Sequence, residues 1–320
     1  MRSNVKVDKT MDKATTTSTA SASLSVPRQS ISKVIAETVK TGIVKSNLIA
    51  MFAGIALALY ANQVSPLQMI PEIVLATIGS AFIIGAAGTF NNVYDRDIDS
   101  IMERTKNRPT VTGVMPVRTA LIFGTTIALL GLLALFFASP LAALFGFMGL
   151  FLYVIPYTMW SKRRSIYNTE IGSISGAMPP LIGWAAISTD MLSAGVLGLF
   201  VVMLLWQMPH FYAIAIRKHD EYKAAKVPML PVVKGLRRTY VQTNVYLVAL
   251  IFASFLFMPL SLGIVLVALL LGVGWLLLSV IGYRRMDPQK WAKSMFIYSL
   301  NHMSILFATI ILYCIVATVF

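Results

Sequence analysis

Runs of about 20 apolar residues, each long enough to cross a bilayer as a helix, recur along this chain. TIGSAFIIGAAGTF at 77–90 and LGIVLVALLLGVGWLLLSV at 262–280 are two examples. Only 12% of the 320 residues are charged, about half the share found in soluble domains. The fold class this dictates is an all-α polytopic membrane protein. Apolar runs predict nine transmembrane helices, at roughly 43–61, 72–93, 118–138, 141–160, 168–187, 193–215, 240–259, 261–282 and 296–319.

Charge placement orients the bundle. Of the 27 Lys and Arg, 8 precede residue 46 and 19 fall on the even-numbered connections, Arg118 at a helix edge included. The odd connections, 62–71, 139–140, 188–192 and 260, carry none. Cytoplasmic loops hold the excess of basic residues, so the N-terminus is expected in the cytoplasm and the C-terminus outside. The net charge of +14 is therefore topological. It implies a lipid bilayer as partner and no nucleic acid.

Residues 1–30, rich in Ser, Thr and Ala, read as a disordered N-terminal tail, and 31–320 as one nine-helix membrane domain. Residues 31–42 suit a short interfacial helix. Asp8 and Asp12 argue against a mitochondrial transit peptide, so the bacterial cell membrane is favoured over the mitochondrial inner membrane. Cys314 is the single cysteine, which rules out a disulfide within the chain.

Two even connections, 94–117 and 216–239, exceed the usual loop length, a mark of function. The first begins in FNNVYDRDIDSIMERTKNRP, which holds four of the 13 acidic residues. Asn91, Asp95 and Asp99 recur at i, i+4 and i+8 and share a helical face; Asn92 borders it and Asp97 points away. Two carboxylates one turn apart repel each other unless a cation lies between them. Hard oxygen donors suit Mg²⁺, which binds through one or two carboxylates plus phosphate oxygens. The competing reading pairs these acids with Arg96, Arg104, Lys106 and Arg108 at the interface.

The second connection begins within WQMPHFYAIAIRKHDEYKAAKVPMLPVVKG, 206–235, and sets Asp220 and Glu221 among Arg217, Lys218, Lys223 and Lys226. His210 and His302 lie within apolar runs, where histidine is either functional or a helix–helix hydrogen-bonding group. Lys162, Arg163 and Arg164 serve topology or a ligand. Asn168 and Glu170 open a helix expected to face the same pocket. GSISGAMPP supplies small residues for close packing and a kink. Acids, cations and apolar aromatic walls together suit a lipid diphosphate. Its allylic cation needs a dry cavity, with Tyr94, Tyr153, Tyr157 and Trp160 as candidate stabilising rings.

These segments resemble the UbiA-type intramembrane prenyltransferases, whose N-D-x-x-D-x-x-x-D motif is matched by N-N-x-x-D-x-x-x-D at 91–99. NNVYDRDIDSIMERTKNRP, YTMWSKRRSIYNTEIGSISGAMPPLIGW and MPHFYAIAIRKHDEYKAAKVPMLPV are similar to the branch that farnesylates haem. The resemblance covers about 40–320 and implies a UbiA-type bundle. It implies transfer of farnesyl from farnesyl diphosphate to a vinyl group of haem B, giving haem O, with Mg²⁺ as cofactor and a haem A synthase downstream. Carried over by position, Asn91, Asp95, Asp99 and Asp220 are the implied catalytic and metal-binding residues. Asn92, Arg108, Lys162, Arg163 and Lys223 are the implied substrate contacts. His210, then His302, are candidate haem ligands by residue chemistry. Two positions depart from the superfamily: Asn92 replaces an Asp, and Ile216 replaces the first Asp of the second motif. The alternatives are prenyl transfer to an aromatic quinone precursor, a transporter, and a haem-binding protein without catalysis.

Overall fold

The computed structural model describes residues 30–319, so the predicted tail lies almost wholly outside the described residues. No β-strand occurs among them. Eight helices are long and apolar enough to cross a membrane, from Thr41–Ala61 to Pro288–Ala317. The chain is a multi-pass helical membrane protein.

The predicted fifth span is two shorter helices, Asn168–Gly176 and Met178–Ala185, divided at Ala177. Pro179 and Pro180 cause the break. Neither has an N–H to donate, so the carbonyls one turn earlier lose their helical partners. The kink expected from GSISGAMPP is present. Together the two helices reach about 27 Å at 1.5 Å per residue. The second packs backbone to backbone on the first span: a Cβ on Gly54 would strike Pro180 O, and one on Gly183 would strike Met51 O.

Two spans start earlier than hydropathy predicts. The seventh runs from Leu230, its first turns set off by a bend at Gly235 (φ 74°) that a side chain would strain. The last runs from Pro288, whose ring suits a first helical turn. The expected interfacial helix forms over Ile31–Thr38, capped where Ser30 Oγ accepts from Lys33 N. Lys40, left-handed at φ 56°, turns the chain from it into the first span.

The two long connections meet. Ile98 and Met102 of the first pack against Ala225, Val227 and Met229 of the second in a small apolar cluster. The chain between the second and third spans is thereby fixed to the chain between the sixth and seventh.

Candidate active site

The second span, Ile70–Tyr94, ends in a turn at Asp95 that leads into the short Arg96–Ile101 helix. Backbone bonds from Asp95 N to Asn91 O (2.9 Å) and from Asp99 N to Asp95 O (2.8 Å) carry the helical register through it. Asn91, Asp95 and Asp99 are all buried.

The fourth span supplies their partners. After Pro140–Leu152 it widens into π-helical turns over Tyr153–Ser161 that contain Pro156. Wider turns absorb a residue that cannot donate, and they recur at functional sites. Lys162 Nζ donates to Asp95 Oδ2, which also accepts from Asn91 Nδ2 at 2.7 Å. Asn91 Nδ2 lies 3.0 Å from Thr158 Oγ1. Arg163 holds Asp97 through two bonds of 2.6 and 2.7 Å and reaches Asp95 Oδ1 at 3.5 Å. Its guanidinium also lies 4.7 Å from the Tyr94 ring centroid. Arg108 Nη1 is 2.5 Å from Asp99 Oδ2. Lys40 Nζ donates to Asn91 Oδ1.

Each buried carboxylate thus has its own cation, which lets two like charges share one face. The hydrogen bonds from Arg163 are the main reason that Asp97 titrates at about 2. Burial, then the nearby charges of Arg108 and Lys162, pull the Lys40 ammonium well below the usual lysine range.

An apolar cavity shares Lys40 with this cluster. Ile83, Ala87, Gly146, Gly149, Tyr153 and Ile182 are among its walls. The polar cluster and the carbon-lined chamber meet at Lys40.

Other predicted residues lie elsewhere. Asn92 is fully buried, but its amide turns to the interfacial helix, donating to Thr38 O at 2.9 Å. Asp220, its side chain 99% exposed, meets His219 Nδ1 at 2.9 Å on the His219–Ala224 helix. Lys223 is exposed on the same helix. Neither bonds to the Asp95–Asp99 group among the described residues. Asn168 donates to Pro228 O at 3.2 Å. Glu170 is drawn into a knot with Tyr212 (2.5 Å) and Gln242 (2.7 Å), toward the sixth and seventh spans.

The two histidines differ. His210 stacks on Trp206 with ring centroids 4.6 Å apart, and its Nδ1 lies 2.7 Å from Ser299 Oγ. His302 is enclosed beside Trp275, and both its ring nitrogens are buried without a hydrogen-bond partner in the described structure.

Sequence reasoning missed Lys40 and Thr158. Thr158 had a signal in Pro156, which implies a widened helix that turns nearby side chains.

Residues 47–300 match the UbiA prenyltransferase family, and the chain belongs to it. A protoheme IX farnesyltransferase of Shouchella clausii (strain KSM-K16) is 64% identical over 299 residues, covering 93% of this chain and 96% of that one. Two solved structures share the fold. That of a digeranylgeranylglyceryl phosphate synthase matches with a TM-score of 0.71 at 18% identity, over 88% of this chain and 98% of that one. A UbiA homolog from Archaeoglobus fulgidus bound to GPP and Mg²⁺ matches with a TM-score of 0.63 at 16% identity, over 87% and 99%.

Proposed function

We propose that this protein transfers the farnesyl group of farnesyl diphosphate to a vinyl group of haem B, giving haem O for haem A and terminal oxidase biosynthesis. The observation that carries the reading is Lys40, which bonds to the Asn91–Asp95–Asp99 group and also lines a carbon-walled chamber. The diphosphate lies at the polar end and the isoprenoid tail in the chamber. Relatives at high identity bear the name of that activity.

Asp95, Asp99 and Asn91 Oδ1 form a hard oxygen donor set that fits Mg²⁺. Asp220 is the further candidate, which the second loop would have to bring inward. The ion, when bound, stabilises the charge that develops on the leaving diphosphate. Arg108, Lys162 and Arg163 exchange their carboxylate contacts for phosphate oxygens, and Lys223 joins them from the rim. The C1–O bond breaks and its electron pair leaves with the diphosphate. The vinyl π electrons bond to C1. Water adds to the resulting cation and loses a proton, which completes the hydroxyethylfarnesyl group. The chamber holds the allylic cation away from water until then. His210 is the proposed haem ligand, because Ser299 engages its Nδ1 and leaves Nε2 for the iron, whereas no hydrogen bond among the described residues orients the ring of His302 beside Trp275.

The proposed topology has nine crossings, the fifth made by Asn168–Gly176 and Met178–Ala185. The N-terminus faces the cytoplasm and the C-terminus the outside of a bacterial cell membrane. The basic residues on the even connections support this arrangement. A haem A synthase is the expected recipient of the product.

The test is mass analysis of haems extracted from cells expressing the chain, wild type beside Asp95→Asn. Haem O in the wild type alone is expected. Haem B alone in both, at good expression, overturns the haem assignment and directs the test to quinone precursors.

A further inference from the structure

Asn92 stands beside the candidate site, and its surroundings give it a separate task. Gly85, Gly88, Thr89 and Asn92 recur at i, i+3, i+4 and i+7, forming one face of the second span. The end of the interfacial helix sits on that face. A Cβ on Gly88 would lie 3.0 Å from Val39 O, and one on Gly85 would lie 3.3 Å from Val39 Cβ. Asn92 Nδ2 donates to Thr38 O at 2.9 Å and approaches Glu37 O at 3.4 Å, while Thr89 Oγ1 reaches Thr38 O at 3.5 Å. Thr110 Oγ1 donates to Asn92 O at 3.2 Å and ties the first long connection to the same point.

The last carbonyls of a helix lack partners within it and carry its negative dipole end. An amide supplies the donors they need. An aspartate there supplies none and adds negative charge. Two residues beyond Thr38 the chain takes the left-handed turn at Lys40, a conformation rare outside glycine, and the lysine donates to Asn91 Oδ1. Lys40 also borders the apolar chamber. The adjacent asparagines therefore divide the work: Asn91 faces the candidate site and Asn92 grips the helix that carries Lys40.

We propose that Lys40 binds the diphosphate of the prenyl substrate, and that Asn92 is a positioning residue that holds the Ile31–Thr38 helix so that Lys40 reaches it. The inference rests on the farnesyl diphosphate reading, not on haem as acceptor.

The test measures farnesyl diphosphate binding, with Mg²⁺ and without acceptor, to the full chain in lipid nanodiscs. Haem farnesylation is then followed in the same preparation. Lys40→Gln and Asn92→Asp are each expected to weaken farnesyl diphosphate binding about tenfold, the loss of one charge-assisted bond. The KM for haem B stays unchanged, and Lys40→Arg recovers most of the affinity. The double variant is no weaker than Lys40→Gln, because Asn92 acts through the lysine. Wild-type affinity in Asn92→Asp, which restores the superfamily motif, overturns the proposal. So do multiplied losses in the double variant, or a parallel rise in both KM values. A wild type that fails to bind farnesyl diphosphate overturns the functional reading instead. A second measurement needs no variant. Farnesyl diphosphate is expected to protect Lys40 from acylation, read by peptide mass spectrometry, and equal labelling with and without it overturns the role of the lysine.

Discussion

His210 Nδ1 and Ser299 Oγ lie 2.7 Å apart, and Ser299 spends its own proton on Phe296 O at 2.5 Å. The imidazole therefore donates through Nδ1–H, and its Nε2 keeps the lone pair that an iron ligand requires. Removal of such an orienting partner weakens metal binding about 10–100-fold. Ser299→Ala is expected to lower haem B affinity by about tenfold in an absorbance titration and to leave farnesyl diphosphate binding intact. Unchanged haem affinity would remove His210 from the site.

Asp95 and Asp97 share Arg163 but differ in burial: the Asp95 side chain is fully buried and that of Asp97 is 64% exposed. Breaking a buried ion pair from one side costs about 3–5 kcal/mol, whereas an exposed pair contributes about 0.2–1 kcal/mol. Asp95→Asn is expected to cut turnover at least about 100-fold, and Asp97→Asn no more than about fivefold. Turnover of the purified variants decides. Equal losses would mean that the shared arginine, rather than the buried carboxylate, is what matters.

Ala87 lies on the wall of the apolar chamber. Ala87→Leu fills part of the space assigned to the tail. It is expected to raise the KM for farnesyl diphosphate about tenfold and to spare geranyl diphosphate, as one or two lost methylene contacts imply. Equal KM changes for both substrates would place the tail elsewhere.

Gly183 has no room for a side chain, because a Cβ there would meet Met51 O and C. Gly183→Ala must push the fifth element off the first span, and such overpacking costs about 1–3 kcal/mol. A fall of several degrees in the thermal midpoint of the detergent-solubilised protein is expected. Gly42, with nothing near its Cβ position, is the control, and its alanine variant keeps the wild-type midpoint.

Periodicity made the Asn91–Asp95–Asp99 face legible, because the turn at Asp95 preserves the i to i−4 bonds. The break at Ala177 was legible in two consecutive prolines. Lys40 was not, since it lies 51 residues before Asn91 and looks like any basic residue flanking a span. The direction of the Asn92 amide was equally hidden. It depends on which carbonyls the interfacial helix brings near. The early starts of the seventh and last spans escaped hydropathy because charged residues interrupt their opening turns, Lys234, Arg237 and Arg238 in the one and Lys290 and Lys293 in the other.

The contact at Gly54 and Gly183 divides the bundle into stiff and yielding seams. Where main chain rests on main chain no rotamer can give way, so the first span and the Met178–Ala185 helix form a rigid spine. Movement between helices is easier along seams filled by longer side chains, whose rotamers can change. The Trp206, His210 and Phe296 contact between the sixth and last spans is one such seam.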